Sequence, residues 1–244
     1  MKLNGRRILI TGAARRIGRE IALLLGQHKT QIIVHYNRSE REAEQVVQDL
    51  RNAGSEATSI QADLSISREV IRLGDESLKL WGGIDILVNN ASVYYVTPLQ
   101  TATESQWNEM IDINLKAPFL LAQKIGLQMK ANGLGRIINI SDWAAKRPHE
   151  GYTPYCISKA GLVALTQALA RELAPEVLVN TVAPGPILPP EDMTHQQLTQ
   201  VIDQTPLART GEPSDIARAV LYLVRDADFV TGIYLPVDGG RQIR

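Results

Sequence analysis

The sequence predicts an α/β protein of one domain, in which a doubly wound parallel sheet of about seven strands carries helices on both faces. Two observations lead to this fold class. Short apolar runs alternate with longer stretches whose apolar residues recur at helical spacing. No linker, internal repeat or low-complexity segment divides the 244 residues. Strands that alternate with helices form crossover units, which make neighbouring strands parallel and cover both faces of the sheet.

The predicted strands are seven short runs separated by helical patterns. In chain order they are Arg7–Thr11, Gln31–Tyr36, Ser55–Gln61, Ile84–Asn89, Arg136–Ile140, Val177–Val182 and Ile233–Val237. Two of the helical faces between them consist of Ile17, Ile21, Leu24 and Leu25, and of Leu162, Leu165, Leu169 and Leu173. One long irregular stretch remains, from Pro184 to about Met193, because its four prolines oppose a helix at its start. Loops of this length often carry function.

The composition excludes several classes of protein. Lys+Arg and Asp+Glu both number 26, and this zero net charge argues against a general attraction to nucleic acid or acidic membrane. The single cysteine, Cys156, cannot form an internal disulfide, which suits a reducing compartment. Neither a signal peptide nor a run of apolar residues long enough for a membrane span is evident. We therefore expect a soluble, cytoplasmic protein.

A turn with two glycines follows the first predicted strand and predicts a phosphate-binding loop. In "TGAARRIGRE", Gly12 and Gly18 lack side chains, so the backbone can approach a pyrophosphate at the N-terminus of the next helix. A protein that selects NAD usually has an acidic residue at the end of the second strand. Here that end reads His35, Tyr36, Asn37, Arg38, Ser39, with no acid before Glu40.

The basic residues near this turn indicate the phosphorylated form of the dinucleotide. Arg38 and Ser39 can bind a 2′-phosphate, and Arg15 or Arg16 can add positive charge from the loop. The alternative is a solvated basic turn without a ligand. We predict NADP(H) as the cofactor and no metal, because the four histidines lack metal-ligand spacing and are expected at the surface or in loops.

Six motifs together resemble the short-chain dehydrogenase/reductase family over essentially the whole chain. They are "TGAARRIG", "ADL" at Ala62–Leu64, "NNA" at Asn89–Ala91, Asn114, "YCISK" at Tyr155–Lys159 and "APGPI" at Ala183–Ile187. The resemblance implies a single Rossmann domain over residues 1–244, with a substrate loop near 184–206, and a homotetramer or a dimer. It implies a cofactor site formed by Gly12, Arg15, Arg16, Ile17, Gly18, His35, Tyr36, Asn37, Arg38, Ser39, Asp63, Leu64, Asn90, Ala91, Ser92, Tyr155, Lys159, Pro184, Gly185 and Ile187.

The resemblance also assigns catalytic roles. Tyr155 would donate a proton to the substrate as hydride arrives from the cofactor. A free phenol has a pKa near 10, so we expect Lys159 to favour its ionisation and to hold the nicotinamide ribose. Asn114 would hold a water in the proton relay. Tyr152 is a rival phenol, but Cys156 stands four residues after it where a lysine is needed.

Two positions depart from the family pattern. Arg16 stands where the loop normally has a third glycine, and Asp142 replaces the usual serine thirteen residues before Tyr155. An ionised carboxylate cannot donate a hydrogen bond to a developing oxyanion and would repel it. One interpretation is that the serine role is lost and the enzyme is impaired.

Both departures, with "NNASVYYVTPL" and "HYNRS", resemble the pteridine reductase branch of the family. Its substrates are reduced at a ring C=N, and an acid that passes a proton to a ring nitrogen is then useful. Tyr94 would stack against such a heterocycle. The substrate residues predicted on this basis are Arg16, Ser92, Tyr94, Asp142 and Tyr155, with Tyr155, Lys159, Asp142 and Asn114 as the catalytic set.

Three hypotheses about function follow. The leading one is an NADPH-dependent reductase of a pteridine-like heterocycle, of dihydropterin or folate type. The alternative enzyme is a carbonyl reductase that acts on 3-oxoacyl thioesters or small ketones. The third is a non-catalytic NADPH-binding sensor, which would not need Tyr155, Lys159 and Asn114 together.

Overall fold

The computed structural model describes residues 1–188 and 193–243 and contains one seven-stranded parallel sheet. The strand order is β3-β2-β1-β4-β5-β6-β7. The strands are β1 Arg7–Ile10, β2 Gln31–Tyr36, β3 Glu56–Gln61, β4 Ile86–Asn89, β5 Gly135–Ile140, β6 Val177–Pro184 and β7 Tyr234–Val237. All seven predicted strands are confirmed, with boundaries that shift by two residues at most. The predicted Rossmann fold of one domain is confirmed as well.

Helices connect consecutive strands and cover both faces of the sheet. They are α1 Arg16–Gly26, α2 Glu40–Asn52, α3 Ser67–Lys79, α4 Glu104–Ile111, α5 Ala117–Ala131, α6 Thr153–Leu173, α7 His195–Asp203 and α8 Pro213–Arg225. A π-helical turn, Asp112–Lys116, joins α4 to α5. None of the helices in the described residues is long and apolar enough to cross a membrane.

Alternation along the strands gives the sheet two separate apolar cores. In β1, Ile8 and Ile10 pack in one core while Leu9 packs in the other, because successive side chains of a strand point to opposite faces. The first core includes residues of α1 and α8, and the second includes residues of α3 and α5. This two-sided burial holds the carboxyl ends of the strands at one rigid edge.

The chain reverses its order in the sheet at β1, which pairs with β2 on one side and β4 on the other. Connections leave the two strands in opposite directions, so a crevice forms outside their carboxyl ends, and ligands of this fold class bind there. After β6 the chain makes an isolated bridge between Ile187 and Gly211. Residues 189–192 of the predicted substrate loop lie outside the described residues. Helix α7, in the later part of that loop, contains no fully buried residue.

Candidate active site

The phosphate loop is fixed to the carboxyl end of β4. Thr11 Oγ1 accepts hydrogen bonds from the backbone N–H groups of Asn90 (2.9 Å) and Ala91 (3.0 Å). In return Asn90 Nδ2 donates to the carbonyl oxygens of Thr11 (2.9 Å) and Gly12 (3.1 Å). These bonds join two segments that are distant in the sequence and set the width of the crevice.

The two glycines of the loop are required by space and conformation. Gly12 has a φ of 62°, in the left-handed region that favours glycine. A Cβ on Gly18 would lie 2.2 Å from the carbonyl oxygen of Gly12 and 2.5 Å from Asn90 Nδ2. A side chain at either position would therefore displace the backbone that a pyrophosphate must approach.

His35 holds the phosphate loop through a side-chain hydrogen bond with Gly12. It is buried in β2, which corrects the prediction of a surface or loop position. Its Nδ1 accepts from the Gly12 N–H at 3.0 Å, and its Nε2 lies 3.0 Å from the carbonyl oxygen of Ala62. Nε2 therefore carries the proton, and burial lowers the pKa of His35 to about 4. The neutral ring uses both nitrogens to hold the protein together, a role that single-sequence reasoning had no signal to find.

The predicted cofactor residues lie along one groove with two adjoining cavities of about 400 and 450 Å³. Exposed Arg38 and partly buried Ser39 line the outer cavity with Asp63, whose carboxylate accepts from the Ser65 N–H and hydroxyl. The residues that line the two cavities include Gly12, Arg15, Arg16, Ile17, Gly18, Tyr36, Asn37, Leu64, Asn90, Ala91 and Ser92. Pro184, Gly185 and Ile187 lie further along, in the catalytic cleft.

Helix α6 brings Tyr155 and Lys159 to the floor of this cleft. Both are buried, and their spacing of four residues places them on one face of the helix. The Tyr155 hydroxyl donates to Asp142 Oδ2 at 2.8 Å. Lys159 Nζ donates to the carbonyl oxygen of Ile140 at 3.0 Å and lies 5.8 Å from the centre of the Tyr155 ring. The phenol, the ammonium and the carboxyl group therefore form one cluster.

Burial dominates the protonation of this cluster. It raises the pKa of the Asp142 carboxyl, although hydrogen bonds from the Ala144 N–H and Tyr155 oppose the shift. Burial and then the Asp142 charge raise the pKa of Tyr155 well above its ordinary value. Burial also lowers the pKa of Lys159 to about 8. Burial and Asp142 therefore outweigh any help that Lys159 gives to ionisation of Tyr155, and the predicted tuning role of Lys159 stays a prediction.

Asn114 lies in the π-helical turn and connects this turn to the loop after β4 and to helix α6. Its Nδ2 donates to the carbonyl oxygen of Val93 and to Ser158 Oγ, both at 3.1 Å. Its Oδ1 accepts from the Val93 N–H at 2.9 Å. The π-helical turn aims this side chain at the loop after β4. Both amide hydrogens are thus used by the protein, and the predicted role in holding a water stays a prediction.

A row of rings forms the wall of the cleft, whose volume is about 430 Å³. Tyr94 packs edge-on against Tyr155 and stacks on Tyr152, with ring centres 4.8 and 4.7 Å apart. His149 stacks in turn on Trp143, and the Arg241 guanidinium lies 5.3 Å above the Trp143 ring. Sequence reasoning did not select His149 or Arg241 as site residues. Their neighbours in the sequence carry no motif, and only the fold brings them to Tyr155.

Arg16 lies between the cofactor groove and the catalytic cleft. Its φ is 52°, which explains why glycine is the usual residue at this position of the loop. Its Nη2 donates to the carbonyl oxygen of Leu188 at 3.0 Å, so the phosphate loop is tied to the segment after β6. Arg16 and Ser92 line both spaces. Chemically, the site places a buried phenol donor beside a groove for a dinucleotide, an arrangement suited to hydride and proton transfer.

Comparisons with known proteins match almost the entire chain to reductases. Residues 12–242 match the family described as Enoyl-(Acyl carrier protein) reductase. The chain is 39% identical over 238 residues to the 3-oxoacyl-[acyl-carrier-protein] reductase FabG of Staphylococcus epidermidis, covering 95% of this chain and 97% of that protein. It is 37% identical over 236 residues to the 3-oxoacyl-[acyl-carrier-protein] reductase of Synechocystis, with 95% of each chain covered.

Solved structures give the same result for the fold. A blue fluorescent protein from a metagenomic library, in complex with NADPH, has a TM-score of 0.92 and 34% identity, covering 99% of both chains. A short-chain dehydrogenase/reductase mutant from Serratia marcescens has a TM-score of 0.93 and 30% identity. The match covers 99% of this chain and 100% of that chain.

Proposed function

The chain belongs to the short-chain dehydrogenase/reductase family, and within it we propose an NADPH-dependent carbonyl reductase whose substrates are 3-oxoacyl thioesters. The chain is an NADP(H)-dependent oxidoreductase. Support for the carbonyl substrate comes from relatives named 3-oxoacyl-[acyl-carrier-protein] reductase, which match about the whole chain at 37 to 39% identity. These relatives favour the carbonyl alternative over the pteridine-like heterocycle that the sequence motifs suggested.

The residues of the groove fit a phosphorylated dinucleotide. The cradle at Gly12 and Gly18 has no space for a Cβ, and Arg38 supplies an exposed cation beside Ser39 for a 2′-phosphate. Asn90 and Ala91 would border the adenine-side ribose, and Lys159 the nicotinamide ribose. When bound, NADPH supplies the hydride for reduction. These residue roles are proposals that follow from the groove and the family motifs.

The proton steps can be assigned to the residues of the cleft floor. Tyr155 is held protonated by burial, so its hydroxyl can give a proton to the carbonyl oxygen as the oxygen gains electrons. The relatives named 3-oxoacyl-[acyl-carrier-protein] reductase carry the choice of a carbonyl substrate, and the Asp142–Tyr155 hydrogen bond supports the assignment of the proton donor. Burial raises the pKa of Asp142, and in its protonated form this carboxyl is a donor that can replace the family's serine hydroxyl. The cation of Lys159 stabilises the phenolate after proton transfer.

A pteridine-like heterocycle is the second candidate because one observation favours it. Asp142 pairs with Tyr155 in a cleft lined by Tyr94, Tyr152 and Trp143, and flat rings pack well against such a wall. For a ring C=N bond, Asp142 would deliver its proton to the nitrogen instead of donating a hydrogen bond to an oxyanion. The two candidates therefore differ in whether Asp142 loses its proton during turnover.

The deciding experiment measures NADPH oxidation with 3-oxobutanoyl thioesters and small ketones beside dihydropterin and folate, in parallel with NADH. Asp142→Ser, which restores the family's residue, is expected to keep or improve reduction of the thioesters. Turnover of pterins alone, abolished by Asp142→Ser, would replace the carbonyl proposal by the heterocycle. Tight NADPH binding without turnover of any substrate, indifferent to Tyr155→Phe, would support the non-catalytic sensor.

We also propose a homotetramer in the cytoplasm. Large apolar side chains are exposed on α5 and α6, with Phe119, Leu127 and Ile157 at 41%, 58% and 43% exposure. Exposed apolar surface of this kind is typical of subunit interfaces. Sedimentation velocity distinguishes a tetramer from a dimer or a monomer, and a monomer at micromolar concentration would refute the assembly.

A further inference from the structure

A second cavity of about 490 Å³ adjoins the catalytic cleft. Ring contacts lead from Tyr155 through Tyr94 to Tyr152, and Tyr152 is the point where the two spaces meet. The side chains that line both spaces are Tyr152, Met193, Val201 and Arg241. A substrate held at Tyr155 can therefore extend past Tyr152 into the second cavity.

The lining of this cavity is rich in amides. Gln197 and Gln200 lie on α7, and Gln204 directly follows its last residue; their spacings of three and four place all three on one face. A primary amide offers two N–H donors and an acceptor oxygen. Among the described residues that line the cavity there is no carboxylate. The wall is thus polar without being acidic, and Val96 and Val201 add apolar surface between the amides.

Existing contacts orient these amides. Gln197 Oε1 accepts from the Thr194 N–H at 2.9 Å in the cap of α7, and Gln204 Oε1 accepts from Arg241. Both contacts use the oxygen and leave N–H groups for a ligand. In the part of the chain that the structure describes, the Gln200 amide has no hydrogen-bond partner. Because Gln200 is exposed, it can donate and accept without disrupting the fold.

We propose that this cavity is a subsite for a neutral, amide-bearing arm of the substrate. The proposal deepens the proposed function and rests on it for the acyl thioester at the reacting end. Methylene groups of the arm would contact Val96 and Tyr152, and its amides would exchange hydrogen bonds with Gln200 and its neighbours. The cation of Arg241 is engaged by Gln204 and by the Trp143 ring, which favours a neutral arm over an anionic one.

The test compares two thioesters of 3-oxobutanoate with the same reacting group. One is carried on pantetheine, whose arm contains secondary amides, and the other is the S-ethyl thioester, which has none. Gln200→Leu removes the free amide at nearly constant volume. Gln196→Leu is the matched control, because Gln196 is exposed on the same helix and does not line the cavity.

Gln200→Leu is expected to raise KM for the pantetheine thioester roughly fivefold, the effect of one lost hydrogen bond, with kcat unchanged. KM for the S-ethyl thioester, and both constants of Gln196→Leu, should stay at the wild-type values. Equal effects on the two thioesters, or none on either, would overturn the subsite while leaving the carbonyl function intact.

Calorimetric titration with pantetheine gives an answer that does not depend on turnover. If Gln200→Leu weakens pantetheine binding and Gln196→Leu does not, the subsite is supported. Failure of the enzyme to reduce either thioester would then refute only the proposed function. Binding that is absent from the wild type, or that is stronger for an anionic analogue such as phosphopantetheine and indifferent to Gln200, would refute the subsite.

Discussion

The cofactor groove and the substrate cleft meet at Arg16 but are built differently. The groove consists of backbone held by buried contacts, such as those of His35 and Asn90, and its glycines have almost no free space around them. The cleft consists of polar and aromatic side chains from segments far apart in the chain, partly covered by α7, which has no buried residue.

This difference predicts different consequences of substitution in the two regions. In the groove, a single added methyl group collides with backbone and should lower cofactor affinity and stability together. In the cleft, protonation states are shifted by burial, so substitutions should change rates and pH dependence more than folding. The following variants test this contrast, from the largest expected effect to the smallest.

Tyr155→Phe should abolish chemistry in the cleft without affecting the groove. Loss of a positioned proton donor lowers kcat by about 10²–10⁴-fold. Dissociation of NADPH, followed by fluorescence titration, should remain close to wild type. Tyr152→Phe removes a phenol of the same cleft that has no lysine one turn away, and it should cause a much smaller loss. Comparable losses in the two variants would mean that the proton donor has been assigned to the wrong tyrosine.

Gly18→Ala should damage the groove while leaving the cleft residues in place. The added Cβ would approach the Gly12 carbonyl oxygen to 2.2 Å, and overpacking of this kind costs about 1–3 kcal/mol. We expect weaker NADPH binding and a lower Tm in thermal unfolding. Gly74→Ala is the control, because its Cβ would come close only to the flexible side chain of Lys124, at 2.9 Å, and would meet Leu121 at an ordinary contact distance of 3.7 Å. Unchanged NADPH affinity in Gly18→Ala would contradict the conclusion that the phosphate loop has no space for a side chain at this position.

Arg38→Ala should lower the preference for NADPH over NADH without other effects. Loss of a charge-assisted bond to the 2′-phosphate costs about 1.5–3 kcal/mol, and NADH has no such phosphate. Affinity for NADPH should therefore fall while affinity for NADH is unchanged. Arg41→Ala removes an exposed arginine nearby that does not line the cavity and should change neither. Parallel losses for the two coenzymes would show that Arg38 contributes only general positive charge.

Asp142→Asn should make stability less sensitive to pH. Burial raises the pKa of Asp142 in the folded protein, so folding favours the protonated carboxyl, and stability from this group falls as the pH rises above the unfolded value of about 4. Asparagine removes the cost of the buried charge. Tm should therefore exceed that of the wild type near neutral pH and converge with it near pH ~4. A constant difference at all pH values would rule out the ionisation as its cause.

Arg16→Gly should have the smallest effect on stability. Glycine relieves a left-handed conformation that costs roughly 1–2 kcal/mol, but it adds chain entropy and removes the bond to the Leu188 carbonyl. These contributions nearly cancel in the free energy of unfolding, measured by urea denaturation. The lost connection should appear instead as a higher KM for substrate. An unchanged KM would mean that the segment after β6 is positioned without Arg16.

Local sequence determined the fold and most of the cofactor groove. Each strand was evident from a short apolar run, and the predicted need for glycine at positions 12 and 18 agrees with the limited space around both residues. These features depend on neighbours in the chain, since periodicity and backbone freedom are local properties. Arg38 and Ser39 could be predicted as ligands of a 2′-phosphate for the same reason, because they follow β2 directly.

Only the tertiary structure decided the protonation of Tyr155 and most of the contacts around it. The sequence placed Asp142 and Lys159 beside it but did not show that burial would outweigh the lysine and raise the phenol's pKa. It also did not show that His35 turns inward, that Arg241 reaches Trp143, or that the glutamines of α7 face a cavity beside Tyr152. Desolvation and contacts between distant segments depend on the complete packing of the chain, and no local pattern encodes them.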